Sequence, residues 1–300
     1  MNFGTVTHAV GHHFTFEKTL ETIKEIGFES ILLLTSKRVD TVDAERVRTS
    51  KDADIVHEDG TSRSAFPNVL ESDPEHVMKA VMNAGLEIAS LHFSGSIDVG
   101  SDDGLEPTIA ALKEYGAYAV ALGCKIMTHP VPSCGRSRAP TEEKAVEIGR
   151  LATCMNATAE AYVDEGLRVA VDIHHNSWVE GLDDCRLLLD SMPCANAGVL
   201  LNIGHMTSAQ GYGWLLVDEY PDRIPVVGWK DHSLAMDRPR PMWSIELGTG
   251  QSPFEMYIRA FKAHPAERVH LVNCENVPDE DRVEVLKRSH LYLQDLWDRV

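Results

Sequence analysis

The amino-acid sequence predicts a single (β/α)8 barrel. Short apolar runs alternate with amphipathic helical stretches along all 300 residues. Eight such strand–helix units can be counted. Polar residues recur where the runs end. Continuous apolar strands separated by helices indicate a parallel sheet covered by helices. Eight units favour closure over an open doubly wound sheet, and no GxGxxG follows the first strand to support a dinucleotide-binding version. No Pro/Gly/Ser linker or repeat divides the chain, so 1–300 reads as one domain.

The first strand is placed at Phe3–Thr7. Leu20, Ile23 and Ile26 give Phe16–Ile26 a helical period, and Phe28–Leu34 is a second buried strand. A long polar insertion follows at about 35–72, longer than most connections and suited to a substrate loop. Asp73 caps a helix running through Val77, Val81 and Ala84. Strand three is expected at Leu86–Leu91, helix three at Leu105–Tyr115 and strand four at Ala119–Met127. The next helix opens at Thr141 and runs to about Glu165, followed by strand five at Arg168–Asp172. Cys185–Leu189 marks a helix, Gly198–Asn202 strand six, Tyr212–Val217 a short helix and Ile224–Trp229 strand seven. Pro253 and Phe254 open a helix, Val269–Cys274 is strand eight, and the last helix spans Asp281 to Trp297.

The formal net charge of -18 opposes a phosphate backbone, so no nucleic-acid partner is expected. No run approaches the roughly 20 apolar residues of a membrane span, and the first residues lack the basic start and apolar core of a signal peptide. The cysteines, at 124, 134, 154, 185, 194 and 274, form no CxxC pair. A reduced, cytoplasmic protein without membrane contact is the simplest account, with a homo-oligomer left open.

In a barrel, residues at the C-terminal strand ends point towards the active-site face. Read in order, those ends supply His8, His92, His129, Asp172 with His174 and His175, Asn202 with His205, Lys230 with Asp231 and His232, and Glu275. Asp172 and His174 share a side if the strand continues. Gly204 permits a tight turn that brings His205 back to the strand end. Asp172 and Glu275 are candidate proton-transfer residues and Lys230 a candidate stabiliser of an anionic oxygen. His8, His92, His129, His174 and Asp231 are candidate substrate contacts. Asp172, Asn202, His205, His232 and Glu275 form a candidate shell for a divalent Mn, Zn, Co or Mg ion, because a cation relieves repulsion between two carboxylates. The opposing possibility is that the Lys230 ammonium takes the cation's position and leaves a metal-free proton-transfer site.

The pieces LHFSG at 91–95, VAVDIHH at 169–175, LLNIGHM at 200–206, VVGWKDH at 226–232, ELGTGQSPF at 246–254 and LVNCEN at 271–276 resemble the xylose-isomerase-like TIM-barrel superfamily of sugar isomerases, ketose epimerases, inosose dehydratases and endonuclease-IV-like enzymes. The resemblance implies a metal held by acids on strands five and six, a His on strand seven and a Glu on strand eight. Those positions fall on Asp172, Asn202, Gly228 and Glu275, so two of the four depart from the pattern. The expected function is metal-dependent isomerisation or epimerisation of a small sugar or related polyhydroxylated carbonyl compound by proton transfer. The alternatives are a sugar-type lyase or dehydratase and a non-catalytic sugar-binding or partner subunit.

Overall fold

Apolar β-branched and leucine runs, each ended by a polar residue, form eight parallel strands that close on themselves. The computed structural model describes residues 1–10, 14, 16–34, 73–93, 97–131, 141–234 and 242–300. The expected polar insertion at 35–72 lies outside the described residues. In chain order the elements are β1 (Gly4–Val6), α1 (Phe16–Ile26), β2 (Ser30–Leu34), α2 (Pro74–Asn83), β3 (Glu87–His92), α3 (Leu105–Ala121), β4 (Ile126–Pro130), α4 (Thr141–Glu160), β5 (Arg168–Asp172), α5 (Leu182–Asp190) and β6 (Ala197–Asn202). They continue with α6 (Ile203–Ser208), α7 (Trp214–Glu219), β7 (Val226–Trp229), β8 (Asp231–Ser233), β9 (Met242–Ile245), α8 (Phe254–Ala263), β10 (Val269–Val272) and α9 (Arg282–Arg299).

The barrel order is β1-β10-β7-β6-β5-β4-β3-β2. β1 closes it by pairing Val6 with Leu32 on one side and Thr5 with Val272 on the other. The Thr5 hydroxyl adds a bond to the Val272 carbonyl at 2.7 Å. β8 and β9 form a separate antiparallel hairpin above the β7 end, which the sequence pattern did not predict.

Helix ends follow local chemistry. Asp73 caps α2 by accepting from Glu75 N–H at 3.0 Å, with Pro74 in the first turn. At the other end Gly85 adopts φ 71°, and Leu86 N–H bonds back to the Val81 carbonyl, a left-handed stop that turns the chain into β3. Gly123 does the same after α3. This corrects the expectation of a strand from Ala119: the small apolar run Ala119–Ala121 is the last turn of α3, and β4 starts only at Ile126.

Strand residues alternate between two environments. Leu33, Leu91, Val171, Leu201 and Trp229 face the helices and are fully buried. Trp229 packs with Phe254, Phe261 and Trp297, and its indole N–H donates to His270 Nδ1 at 3.1 Å. Burying a large apolar side chain of this kind stabilises by roughly 1.5–3 kcal/mol. The intervening residues face the barrel axis. Among the described residues no helix is long and apolar enough to cross a membrane.

Candidate active site

The alternation builds one cavity at the C-terminal ends of the strands. Residues two apart line it in pairs: Val6 and His8, Leu32 and Leu34, Asp172 and His174, Leu200 and Asn202, Gly228 and Lys230. Leu271, Asn273 and Glu275 complete the wall, with His92 from β3. The cavity holds about 140 Å³, room for a small ligand. Its lining combines Val6, Leu32, Leu34, Leu200 and Leu271 with imidazoles, amides, two carboxylates and an ammonium.

Glu275 is the most heavily bonded of these groups. Its Oε1 accepts from His8 Nε2 at 2.8 Å, Asn273 Nδ2 at 2.5 Å and Lys230 Nζ at 3.2 Å. Its Oε2 lies 3.4 Å from Lys230 Nζ and 3.5 Å from the Ser244 hydroxyl. Burial alone would raise this carboxyl, but Lys230 and the His8 and Asn273 bonds outweigh it and hold the group well below the usual carboxylate range. Asp172 accepts from His174 Nε2 at 3.0 Å and from Asn202 Nδ2 at 3.2 Å. Burial opposes its charge as well, yet His174, Lys230 and His92 lower it to about 2. Both carboxyls are therefore ionised near neutral pH.

The imidazoles divide into two groups. His8, His92 and His174 line the cavity. His92 is hydrogen-bonded through Nδ1 to the Thr128 hydroxyl at 2.8 Å, and burial lowers its pKa to about 4 against the pull of Asp172. His205 and His232 are not among the cavity's lining residues. His205 stacks on His174 at 4.0 Å between centroids and meets the edge of His232 at 4.7 Å. Its Nδ1 accepts the His175 backbone N–H at 3.3 Å, so the neutral ring carries its proton on Nε2. Burial, His174 and Lys230 push this imidazole well below its ordinary value. His232 is tied through Nδ1 to the Ser208 hydroxyl at 2.7 Å, and burial with Lys230 lowers it to about 3.

Two of the expected substrate contacts are not brought to the cavity. His129 alternates with Thr128 and faces outward, donating from Nδ1 to the Pro130 carbonyl at 2.9 Å with its ring against Met155 of α4. Asp231 follows Lys230 and points to the opposite side. Its carboxylate accepts the backbone N–H groups of Gly248 and Gly250 at 2.9 and 2.8 Å and of Ser252 at 3.0 Å. It holds the segment after β9 in place. His205 also arrives by a different route from the expected turn. Asn202 ends β6 and α6 begins at once, so His205 sits in the first turn of a helix. Gly204 matters through space rather than backbone freedom: a Cβ there would lie 2.3 Å from the His232 ring.

A family model of the xylose isomerase-like TIM barrel matches residues 53–296. The chain belongs to this family. Structures of other barrels in solved form agree with the fold. An L-ribulose 3-epimerase shares 16% identity with a TM-score of 0.71, covering 100% of this chain and 95% of its own. A sugar phosphate isomerase/epimerase from Parabacteroides distasonis shares 15%, with a TM-score of 0.69 and coverage of 98% and 93%. The IOLI protein with a bound zinc atom shares 14%, with a TM-score of 0.67 and 98% of both chains covered. A comparison of the sequence with curated proteins finds no significant match.

The barrel family raises the question of a metal, and the donors present do not fit one as arranged. The strand-seven position is Gly228, which offers no side chain. Asn202 directs its NH2, a donor, at Asp172. Lys230 covers both oxygens of Glu275. His205 and His232, the expected imidazole ligands, are not among the residues that line the cavity. Among the described residues no three His, Cys, Asp or Glu side chains converge as a ligand set. Of the expected shell, Asp172, Asn202 and Glu275 line the cavity beside Lys230, whereas His205 and His232 are not among its lining residues.

The sequence reading missed four contributors. Asn273 is one alternation before Glu275 and could have been found by counting in twos along LVNCEN. Thr128 could have been found likewise in place of His129. Ser208 and Ser244 reach His232 and Glu275 only through tertiary folding, and no local signal marks them.

Proposed function

We propose that this mouth isomerises or epimerises a small sugar or related polyhydroxylated carbonyl compound by proton transfer. One arrangement carries the reading: two ionised carboxylates, Asp172 and Glu275, line one small cavity with Lys230 bonded to one and acting on the other. A carboxylate takes the proton from the carbon next to the carbonyl. The C–H electron pair becomes the new C=C bond, and the carbonyl pair moves onto oxygen. Lys230, in the same cavity and bonded to Glu275, stabilises that oxyanion by charge and hydrogen bonding. Return of the proton to the former carbonyl carbon, with the proton of the adjacent hydroxyl passing to the oxyanion, isomerises the substrate, and return of a proton to the opposite face of the first carbon epimerises it. His8, His92 and His174 line the same cavity and bind substrate hydroxyls. The reactions named for the epimerase and isomerase/epimerase structures of this fold support the class.

The test is a panel of aldoses, ketoses and their phosphates incubated with the chain in heavy water. Deuterium is expected at the carbon beside the carbonyl, falling about 10²–10⁴-fold in Glu275→Gln. A product lighter by one water would move the activity to a dehydratase, the reaction named for another structure of this fold, a probable 3-DHS dehydratase. Tight sugar binding without exchange would make the chain a binding subunit, and hydride transfer to an added nicotinamide would defeat the proposal.

A further inference from the structure

We propose that Lys230 is the resident cation of this site, so that the mouth operates without a divalent metal. The inference concerns the same cavity as the isomerase reading and rests on it only for the identity of the oxyanion.

The geometry of the donors carries it. The four carboxylate oxygens of Asp172 and Glu275 are the hard ligands that a divalent ion would need. All four already face donors. Glu275 Oε1 receives His8, Asn273 and Lys230, and Oε2 faces Lys230 and Ser244. Asp172 Oδ1 receives the Asn202 amide and Oδ2 receives His174. A metal site presents converging acceptors, whereas this cavity presents converging N–H and O–H groups with one full positive charge among them. An incoming cation would have to expel the ammonium and turn the Asn202 amide round.

Lys230 is also built in rather than draped over the surface. It is 6% exposed, it extends from the end of β7, and it lines the same cavity as Gly228 two residues before it. Asp231, the next residue, is locked by three backbone N–H groups, and Ser252 Oγ donates to the Lys230 carbonyl at 3.2 Å. The Trp229 carbonyl accepts the Asn273 N–H at 3.1 Å, so the backbone is held on both sides of the lysine Cα. A single ammonium so held does for a developing oxyanion what a Lewis acid does, by charge and by hydrogen bonding. It differs from a metal in one respect: as the oxyanion forms, Lys230 is shared between it and Glu275, and Glu275 becomes a stronger base as its partner's attention divides.

The probe is Mn²⁺ alone, followed by its free-ion electron paramagnetic resonance signal and by calorimetry with the full-length chain, with no sugar present. The wild-type chain is expected to leave the signal of equimolar Mn²⁺ unchanged. Lys230→Met, which uncovers both carboxylates, is expected to bind at least about tenfold more tightly than wild type. Uptake of one equivalent by the wild type, lost in Glu275→Gln, overturns the proposal. So does a folded Lys230→Met chain that binds Mn²⁺ no better than wild type. If Lys230→Met does not fold, Lys230→Gln takes its place, and the wild-type titration decides by itself whether an ion is resident. Because no substrate enters, a failed sugar panel leaves this result untouched, and wild-type metal uptake leaves the isomerase reading standing.

Discussion

Lys230 and Glu275 stand on neighbouring barrel strands, β7 and β10, 45 residues apart in the chain, with the lysine Nζ 3.2 Å from one carboxylate oxygen and 3.4 Å from the other. The lysine is buried, while the glutamate side chain keeps 34% of its surface exposed towards the cavity. Breaking a fully buried pair by removing one partner costs about 3–5 kcal/mol, and water reaching Glu275 reduces that. Lys230→Met is therefore expected to cost about 1–2 kcal/mol, read as a lower urea midpoint. Loss of the ammonium also lets the Glu275 carboxyl titrate at higher pH, visible by carbon NMR of labelled glutamate. An unmoved titration would show that Lys230 does not hold this carboxylate ionised.

Asp231 is expected to matter more for folding than its neighbour. It is 1% exposed and accepts three backbone N–H groups from residues 248, 250 and 252. A hydrogen bond to a charged group contributes about 1.5–3 kcal/mol, and the contributions of one cluster are not additive. Asp231→Ala strands three donors and is expected to lose about 3–5 kcal/mol, with Asp231→Asn in between. Urea denaturation of both variants beside Lys230→Met gives the order. Equal midpoints for Asp231→Ala and wild type would mean that the segment after β9 does not depend on this carboxylate.

The barrel itself was legible because its signal is periodic and local: apolar runs and helical spacing, while the glycine stop at Gly123 was passed over and strand four placed too early. The candidate site was legible only by position along each strand. Asp172, His174, Asn202, Lys230 and Glu275 lie at strand ends and at even spacings, and the structure puts all five on the cavity wall. His129 and Asp231 lie at strand ends too, but one residue out of phase, and strand alternation carries them away. The roles of Gly204 and Ser208 depend on how α6 stacks against the β8 segment, and the β8–β9 hairpin pairs across residues 235–241. Such non-local contacts leave no periodic mark in the sequence.

Gly204→Ala tests that stacking. An added Cβ would sit 2.3 Å from His232 Cδ2 and 2.9 Å from Lys230 Cβ. The imidazole cannot simply swing aside, because it is bonded to Ser208 and edge-on to His205. Overpacking of this kind costs about 1–3 kcal/mol. The variant is expected to show that loss in chemical denaturation, together with a shifted His232 resonance. Unchanged stability and an unmoved His232 would mean that the α6–β8 contact is looser than the structure has it.

Acid stability should be governed by buried neutral histidines before any carboxylate. Burial lowers His92 and His129 to about 4 and His232 to about 3, each from 6.5. Below pH 6.5 the unfolded chain takes up protons at these positions, while the native chain refuses them until the folded pKa is reached. Stability is therefore full above pH 6.5 and falls as the pH drops towards 4, and towards 3 for His232. Asp172 acts in the same sense over a lower window. It stays ionised in the fold down to about 2 against 3.8 unfolded, so its contribution is present above 3.8 and is lost as the pH falls to 2. Three rings titrating in one sense make the histidine window the larger part of the loss above the carboxylate range. Guanidinium midpoints measured from about pH 7.5 down to about pH 4.5 should stay level at first and then decline well before the ordinary carboxylate range. His129→Gln, which replaces a titrating ring that lies outside the cavity, should make the decline shallower. A midpoint level down to about pH 4.5 in the wild type would mean that these rings accept protons as readily in the fold as outside it.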